Sequence, residues 1–151
     1  MGLINCIIYL ILSGLTVFFI GRIYPRKRIN ENGFWFKPFK FEKSGRLYDK
    51  LKIKKWKTKL PDASVIISKI IPSFMPKKRL EGCGKDKIEI LIKETCVAEA
   101  THIISGVLGL FCIRIWKKFG WIISVLWLAF NTPFVLIQRY NRPRLISALA
   151  K

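Results

Sequence analysis

Three long apolar runs alternate with polar segments along the 151 residues of the chain. Residues 3–20 and 119–137 carry no charged side chain, and residues 103–113 form an apolar stretch between them. Nineteen residues in a helix measure about 28 Å, which is enough to cross the hydrocarbon core of a bilayer. The pattern predicts an all-α integral membrane protein with three transmembrane helices, at about residues 3–21, 96–116 and 119–137.

The polar segment between the second and third runs is very short. Lys117, Lys118 and Phe119 lead directly to Gly120, so only a tight turn fits and the two helices are expected to form a hairpin. A hairpin that enters the bilayer and returns to the same side is the alternative. The first run lacks the basic start and the cleavage site of a signal peptide, so we interpret it as a retained span.

Charge is concentrated in the middle segment, residues 22–95. The formal net charge of the chain is +19, and residues 21–95 contain 21 Lys or Arg against 8 Asp or Glu. In a soluble protein this excess would indicate nucleic acid, but beside membrane spans it indicates a cytoplasmic face against anionic phospholipid. No nucleic-acid partner is predicted. Aromatic residues at 34–36 interleave with the cations, which favours a partly interfacial segment.

The distribution of charge also predicts the topology. The short N-terminal segment has no charged side chain, whereas the middle segment and the C-terminal segment are rich in Lys and Arg. Because cationic loops stay on the cytoplasmic side, we expect a multi-pass protein of the cell membrane, with its N-terminus outside and its C-terminus in the cytoplasm. Residues 1–151 then form a single membrane domain.

A small group of polar residues opens the second span. Glu99 and His102 lie three residues apart, and Glu94 falls on the other flank of His102 around the helix. Such a group is costly at the mouth of an apolar helix, so we interpret His102 as a general base that Glu99 or Glu94 orients. Alternatively, the two acids only favour a helix N-terminus and His102 is an interface residue. A single His is weak support for a metal site, so no metal site is predicted.

A second polar group follows the third run, where three Arg are spaced by amide and phenol side chains in the segment 138–145. At 1.5 Å per residue, His102 lies about 18 Å inward from Arg114 on its helix, and Gln138 lies about 27 Å inward from Gly120. The two polar groups should therefore converge near the inner face of the membrane. Asn131, seven residues before Gln138, shares the same side of its helix and is expected to point at the second helix.

Ten short segments of the chain follow one another in an order that is found in one enzyme family. These segments are Gly21-Arg22, Pro25-Arg26, Phe39–Gly45, Lys55-Trp56-Lys57, Leu60-Pro61-Asp62, Glu94-Thr95, Ala98-Glu99, His102, Asn131-x-Pro133 and Gln138–Leu145. In this order they resemble the glycosyl-4,4'-diaponeurosporenoate acyltransferases, which finish the carotenoid staphyloxanthin. The resemblance covers nearly the whole chain, and the segment that ends at Leu145 is its most specific part. One position departs from it, since the family often has an aromatic residue where this chain has Ile103.

The resemblance implies a membrane acyltransferase that esterifies a sugar hydroxyl of a glycolipid, such as a glycosyl carotenoid, with a fatty acyl chain. We predict that the catalytic residues are His102, Glu99 and Glu94. The cations of the substrate site would hold the phosphates of the acyl donor or a lipid headgroup, and two amides would donate to the developing oxyanion. The predicted substrate-binding residues are Trp56, Lys57, Asn131, Gln138, Arg139, Tyr140, Asn141, Arg142 and Arg144, with Gln138 and Asn141 as the two amides.

The expected partners are a membrane lipid or glycolipid acceptor, an acyl donor (acyl-CoA, acyl carrier protein or phospholipid) and the anionic phospholipid surface; no cofactor is predicted. Direct transfer without a covalent intermediate is expected, because no credible Ser or Cys nucleophile accompanies His102. The rival hypothesis is a non-catalytic membrane protein that docks partners or lipids through its basic face. An enzyme would depend on His102 or Glu99 singly, whereas a docking protein would depend on several Lys together.

Overall fold

The computed structural model describes residues 1–40, 42, 46–60 and 84–150, and it contains three long helices. Helix α1 spans Gly2–Ile23 and is followed by a 3-10 turn at Arg26–Arg28. Two short helices come next, α2 (Arg46–Lys50) and α3 (Ile53–Trp56). Residues 41, 43–45 and 61–62, which belong to the segments that carry the resemblance, lie outside the described residues.

The second half of the chain is a helical hairpin. Helix α4 spans Lys85–Leu108 and continues through a 3-10 turn at Gly109–Phe111 into α5 (Cys112–Ile115). After the turn, helix α6 spans Gly120–Leu149 and packs along α4 in the opposite direction. The predicted hairpin of the second and third apolar runs is confirmed.

Backbone contact explains why the turn of the hairpin is so tight. The amide of Gly120 donates to the Trp116 carbonyl at 2.6 Å. A Cβ atom on Gly120 would lie 1.9 Å from the Cys112 carbonyl oxygen, so only glycine fits where the two chain segments meet.

Helix α1 runs antiparallel to α4 and α5. The Cys6 thiol contacts the Cys112 carbonyl at 3.8 Å, and the Tyr9 hydroxyl donates to the Leu108 carbonyl at 3.0 Å. Cys6, Leu10 and Cys112 form a buried apolar cluster beside the turn. We call this the hairpin end of the bundle. The opposite end, where α1 finishes and α6 carries its arginines, is the polar end.

Most of the apolar surface of the three helices faces outward. Only 17% of the most apolar window of α1 is buried, and the corresponding values are 33% for residues 85–115 and 17% for α6. Water would not tolerate so much exposed apolar surface, whereas lipid tails solvate it, and a helix satisfies its own backbone there. All three helices are long and apolar enough to cross a membrane. The predicted all-α class with three membrane-spanning helices is confirmed.

The helices extend beyond the predicted spans at the polar end. Helix α4 begins at Lys85, well before residue 96, and α6 continues through Pro143 instead of ending near it. The continuation of α6 past Pro143 is explained by packing, because Tyr140 and Arg142 are buried just before the proline. Beyond the proline, the Ser147 hydroxyl donates to the Pro143 carbonyl at 2.9 Å.

Part of the basic middle segment folds back onto the polar end. Tyr48 of α2 and Ile53 of α3 form a buried cluster with Tyr140 of α6, and the two tyrosine rings meet edge to face at 5.8 Å. Burial raises the pKa of Tyr48 to about 12. Phe34 and Trp35, in the loop before α2, remain 84% and 77% exposed, which suits the predicted interfacial position.

Candidate active site

His102 lies on α4 opposite Asn131 of α6. Its Nδ1 atom is 3.0 Å from Oδ1 of Asn131, and the Asn131 amide nitrogen donates to the Trp127 carbonyl at 2.9 Å. A backbone carbonyl only accepts hydrogen bonds, so the bond to Trp127 sets the orientation of the amide and turns Oδ1 toward the imidazole. Nδ1 of His102 therefore carries the proton and donates it to Asn131.

The neutral imidazole of His102 then has its lone pair on Nε2. Among the described residues, no group forms a hydrogen bond with Nε2. The same residues leave no buried side-chain nitrogen or oxygen without a partner, so Nε2 reaches the surface of the bundle. An accessible lone pair on an oriented imidazole is the arrangement that a general base requires.

Aromatic side chains of α6 flank this imidazole. The Phe134 ring stacks on His102 with the ring centres 4.7 Å apart and the planes only 10° from parallel. Phe130 contacts Phe134 at 5.4 Å and is 54% exposed. The two rings thus form an apolar row from His102 to the outer surface of α6, which suits a substrate that arrives from the lipid.

Glu99, one turn before His102 on α4, is completely buried between two arginines of α6. Its Oε1 accepts from Nε of Arg139 at 2.6 Å, and its Oε2 accepts from Nη2 of Arg142. Arg139 also donates through Nη1 to both oxygens of Glu42, at 3.1 and 3.2 Å. We call Glu42, Glu99, Arg139 and Arg142 the ion network; its two carboxylates balance its two guanidinium groups.

The ion network also attaches the loop before α2 to the bundle. Arg139 donates through Nη2 to the Trp35 carbonyl at 3.1 Å, and Arg142 donates through Nη1 to the Phe36 carbonyl at 2.9 Å. Nε of Arg142 donates to the Thr95 hydroxyl at 3.0 Å. The side chains of the two arginines are only 10% and 4% exposed. Their donors thus serve the protein's own structure.

These contacts correct the predicted partner of His102. Glu99 is held by the ion network, and Glu94 accepts from Nε of Arg26 at 2.8 Å. The prediction that Glu99 or Glu94 orients the imidazole is wrong, because Asn131 occupies that position. The physical reason is competition, since a carboxylate bonds more strongly to a guanidinium than to a neutral imidazole.

Four of the predicted substrate-binding residues use their polar groups internally. Arg139 and Arg142 belong to the ion network, and Asn131 uses both ends of its amide, with His102 and with a backbone carbonyl. The Trp56 indole nitrogen donates to the Leu51 carbonyl at 2.8 Å. The structure does not present these groups as open ligand donors.

Three of the other predicted substrate-binding residues, Lys57, Asn141 and Arg144, lie around a fourth, Tyr140. Nζ of Lys57 donates to Oδ1 of Asn141 at 3.1 Å and lies 4.7 Å from the centre of the Tyr140 ring. The guanidinium of Arg144 lies 3.5 Å from the same centre. Gln138 is half-buried, and its side chain has no hydrogen-bond partner among the described residues.

The candidate base and the cations around Tyr140 lie at different depths in the bundle. Along α6, nine residues or about 14 Å separate Asn131, the partner of His102, from Tyr140. The base and these cations are therefore not in direct contact, and a joint role in one site stays a prediction. Gln138 and Asn141 lie seven and ten residues beyond Asn131 on α6, or about 10 and 15 Å along the helix, so they do not fit the role of oxyanion donors beside His102.

Sequence reasoning missed three residues that the structure brings into or next to this region. Phe134 stacks on the imidazole, Thr95 accepts from an arginine of the ion network, and Glu42 supplies its second carboxylate. Glu42 and Thr95 lie within the segments that carry the family resemblance, which was the only available signal. Helical periodicity could not indicate Glu42, because this residue lies in a loop.

The fold and the site define an all-helical membrane protein with a candidate histidine base between two of its helices. Residues 32–151 match the family model of glycosyl-4,4'-diaponeurosporenoate acyltransferase. Proteins of that name from Staphylococcus aureus strains bovine RF122 / ET3-1, MRSA252 and N315 are each 31% identical to this chain, over 95% of its length and 86% of theirs. The chain belongs to this family and is an acyltransferase, which sets aside the docking-protein alternative. No solved structure matches it.

Proposed function

We propose that this acyltransferase esterifies a sugar hydroxyl of a glycosylated carotenoid, or of a similar glycolipid, with a fatty acyl chain at the membrane. The acceptor is supported by the name of its relatives, glycosyl-4,4'-diaponeurosporenoate acyltransferase. Membrane location is supported by the three long apolar helices. The aromatic row of Phe130 and Phe134 provides an apolar surface for a long hydrocarbon acceptor.

The observation that carries the proposal is the imidazole of His102, which is bound to Asn131 through Nδ1 and open at Nε2. Nε2 takes the proton of the sugar hydroxyl while the hydroxyl oxygen attacks the acyl carbonyl carbon. The ester C–O bond forms, the bond between the acyl group and the donor breaks, and the proton passes from the imidazole to the leaving group. Asn131 is a positioning residue in this scheme, because it holds the tautomer that leaves Nε2 free.

We assign Glu99 and Glu94 supporting roles in place of direct contact with the imidazole. The ion network around Glu99 fixes α6 and the loop before α2 against α4, one turn from His102. Glu94 joins the end of α1 to the same helix through Arg22 and Arg26. Both carboxylates would therefore act on catalysis by keeping the helices in register.

The proposed orientation places the polar end at the cytoplasmic face, because the middle and C-terminal segments carry the excess of Lys and Arg. Single cysteines at positions 85 and 148, in a variant without the native cysteines, would test it by thiol labelling of intact cells. We expect both positions to be protected from a membrane-impermeant reagent. Labelling of both from outside would reverse the orientation, and labelling of one alone would rule out three spans.

Substitution of His102 tests the proposed chemistry. Because a general base contributes about 10²–10⁴ in rate, His102→Gln and His102→Ala should insert normally yet transfer acyl chains at least about a hundredfold more slowly. Thr132→Ala is a matched control, since the Thr132 hydroxyl is exposed and only bonds its own helix. Wild-type turnover of His102→Gln at equal protein level would eliminate general-base catalysis here.

Substitution of Asn131 tests its positioning role. Asn131→Leu should lower kcat by a smaller factor than the His102 variants do and leave KM for the acceptor near that of the wild type.

A further inference from the structure

Two cations next to Tyr140 differ from the arginines of the ion network. Within the part of the chain that the structure describes, neither Lys57 nor Arg144 forms an ion pair. Lys57 donates to the neutral Asn141 side chain, and Nη1 of Arg144 donates to the Tyr140 carbonyl at 2.8 Å. Both cations thus keep donors that no carboxylate of the described chain neutralises.

The two cations are also close to each other. Because Nζ of Lys57 lies 4.7 Å and the Arg144 guanidinium 3.5 Å from the centre of the Tyr140 ring, they are no further apart than the sum of these distances. Partial burial lowers the pKa of Lys57 from its ordinary value, and the charges of Arg144 and Lys54 lower it further. A bound anion would offset this repulsion and accept the remaining hydrogen bonds.

Space for an anion exists beside Arg144. A shallow surface depression of about 300 Å³ borders this residue on the last turns of α6, and the described residues that line it are Pro143, Arg144, Ser147 and Ala148. Arg144 is itself an exposed residue at the polar end. The place, the charge and the donors together fit a phosphate group, for which Arg and Lys are the usual ligands.

We propose that Lys57 and Arg144, resting on Tyr140, bind the phosphate of a phosphopantetheine thioester, so that the acyl donor is acyl-CoA or acyl carrier protein. This proposal rests on the proposed role of His102 as the base. From the sequence, the phosphates of the acyl donor, or a lipid headgroup, are assigned to Lys57 together with all three arginines of the segment 138–145. The structure divides that set, since Arg139 and Arg142 are already neutralised.

The distance between the Tyr140 ring and the candidate base favours one class of acyl donor. The Tyr140 ring lies nine residues, or about 14 Å, along α6 from the Asn131 that holds His102. In a phospholipid, the phosphate and an acyl ester sit on neighbouring glycerol carbons, so a phosphate at Tyr140 would keep the ester far from the base. In a phosphopantetheine thioester, a long flexible arm separates the phosphate from the thioester and bridges the gap.

With a thioester as the donor, the bonds that form and break in the transfer account for all atoms and electrons. The sugar oxygen bonds to the acyl carbon, the C–S bond of the thioester breaks, and the electron pair of that bond leaves with sulfur. The proton that Nε2 of His102 took from the hydroxyl passes to the thiolate, so the products are the ester and a free thiol. No other reactant is needed.

Binding of non-acylated probes tests the site without turnover. The full-length protein in phosphatidylcholine nanodiscs would be titrated with coenzyme A and with holo-acyl carrier protein, in separate calorimetric experiments. We expect saturable binding of at least one probe, competition by inorganic phosphate, and a loss of about tenfold or more in the variant Lys57→Gln/Arg144→Gln, as for the loss of charged hydrogen bonds. Lys117→Gln/Lys118→Gln removes the same charge at the hairpin end and should bind as the wild type does.

Further variants and lipids distinguish the ways in which this assignment could be wrong. Arg144→Gln alone changes an exposed side chain, so the test does not depend on the folding of the double variant. His102→Gln should bind the probes normally, which keeps this proposal distinguishable from the role of the base. Equal binding by wild type and double variant, or no saturable binding of either probe, would overturn the assignment. So would a double variant that binds the probes normally but loses a preference for phosphatidylglycerol over phosphatidylcholine, because the source of phosphate would then be a lipid.

Discussion

The two ends of the helical bundle are held together in different ways. At the hairpin end, Cys6, Leu10 and Cys112 are buried together and Gly120 lets two backbones touch. At the polar end, the fully buried carboxylate of Glu99 lies between two guanidinium groups. Close fit holds the first region, whereas balance of charge and complete hydrogen bonding hold the second.

This difference shows why the candidate chemistry lies toward one end only. At the hairpin end, the Cys6 thiol and the Tyr9 hydroxyl donate to backbone carbonyls, and the two cysteines there are buried. Toward the polar end, the helices bring His102 and Asn131 together, and the ion network attaches the loop before α2. Buried ion pairs there impose a strict requirement, because removing one charge leaves the others uncompensated.

The largest effect is expected from Glu99→Gln, which tests whether charge balance holds the polar end. The change leaves two buried guanidinium groups with one carboxylate, so unfolding should become easier by about 3–5 kcal/mol. SDS titration in mixed micelles would measure the free energy of unfolding. Glu94→Gln is a matched control, because Glu94 also pairs with two arginines but its side chain is 22% exposed, and about 0–1 kcal/mol is expected. Equal losses in the two variants would contradict the comparison.

A smaller effect is expected from Gly120→Ala, which tests the close fit of the hairpin end. The added methyl group would overlap the Cys112 carbonyl oxygen, so the hairpin must open and stability should fall by about 1–3 kcal/mol. Gly14→Ala is the control, since its nearest neighbour would be a Trp127 ring atom at 4.0 Å and alanine favours the helix. The same SDS titration applies. If Gly120→Ala were as stable as Gly14→Ala, close backbone contact would not explain the turn.

The smallest effect is expected from Tyr9→Phe, which sharpens the description of the hairpin end. The change removes one hydrogen bond between α1 and α4 and keeps the ring, so a loss of about 0.6 kcal/mol is expected, the average between membrane helices. Thr16→Val removes a hydroxyl that bonds only within α1 and should have less effect. A loss for Tyr9→Phe as large as that for Gly120→Ala would show that hydrogen bonding, and not fit, dominates this end.

The broad arrangement of the bundle could be predicted because each step depends on local properties. Long uncharged runs require helices in lipid, and Lys117–Gly120 leaves no room for anything but a turn. The rise per residue then predicts that the polar groups of the second and third helices converge near one face, and the structure pairs Glu99 with Arg139 at 2.6 Å. Depth along a helix thus follows from counting residues.

The partners of the polar side chains could not be predicted in the same way. Residue spacing makes Glu99 and His102 neighbours on α4 and turns Asn131 toward that helix, but it does not say which side chain of α4 each side chain of α6 bonds. Arg139 and Arg142 reach Glu99 from α6, and Asn131 reaches His102. A carboxylate with several possible partners forms the strongest bonds available, and that choice depends on the rotation of both helices.

The sequence by itself determined the number of membrane helices, the hairpin, the concentration of cations toward one end and the family of acyltransferases to which the chain belongs. Only the tertiary structure decided that Arg139 and Arg142 are neutralised inside while Lys57 and Arg144 stay without an ion pair among the described residues. The physical reason is that hydrophobicity and helical rise act along the chain, whereas charge pairing depends on distances between segments. Glu42 joins the ion network from a loop nearly a hundred residues away from Arg139, which no local pattern could indicate.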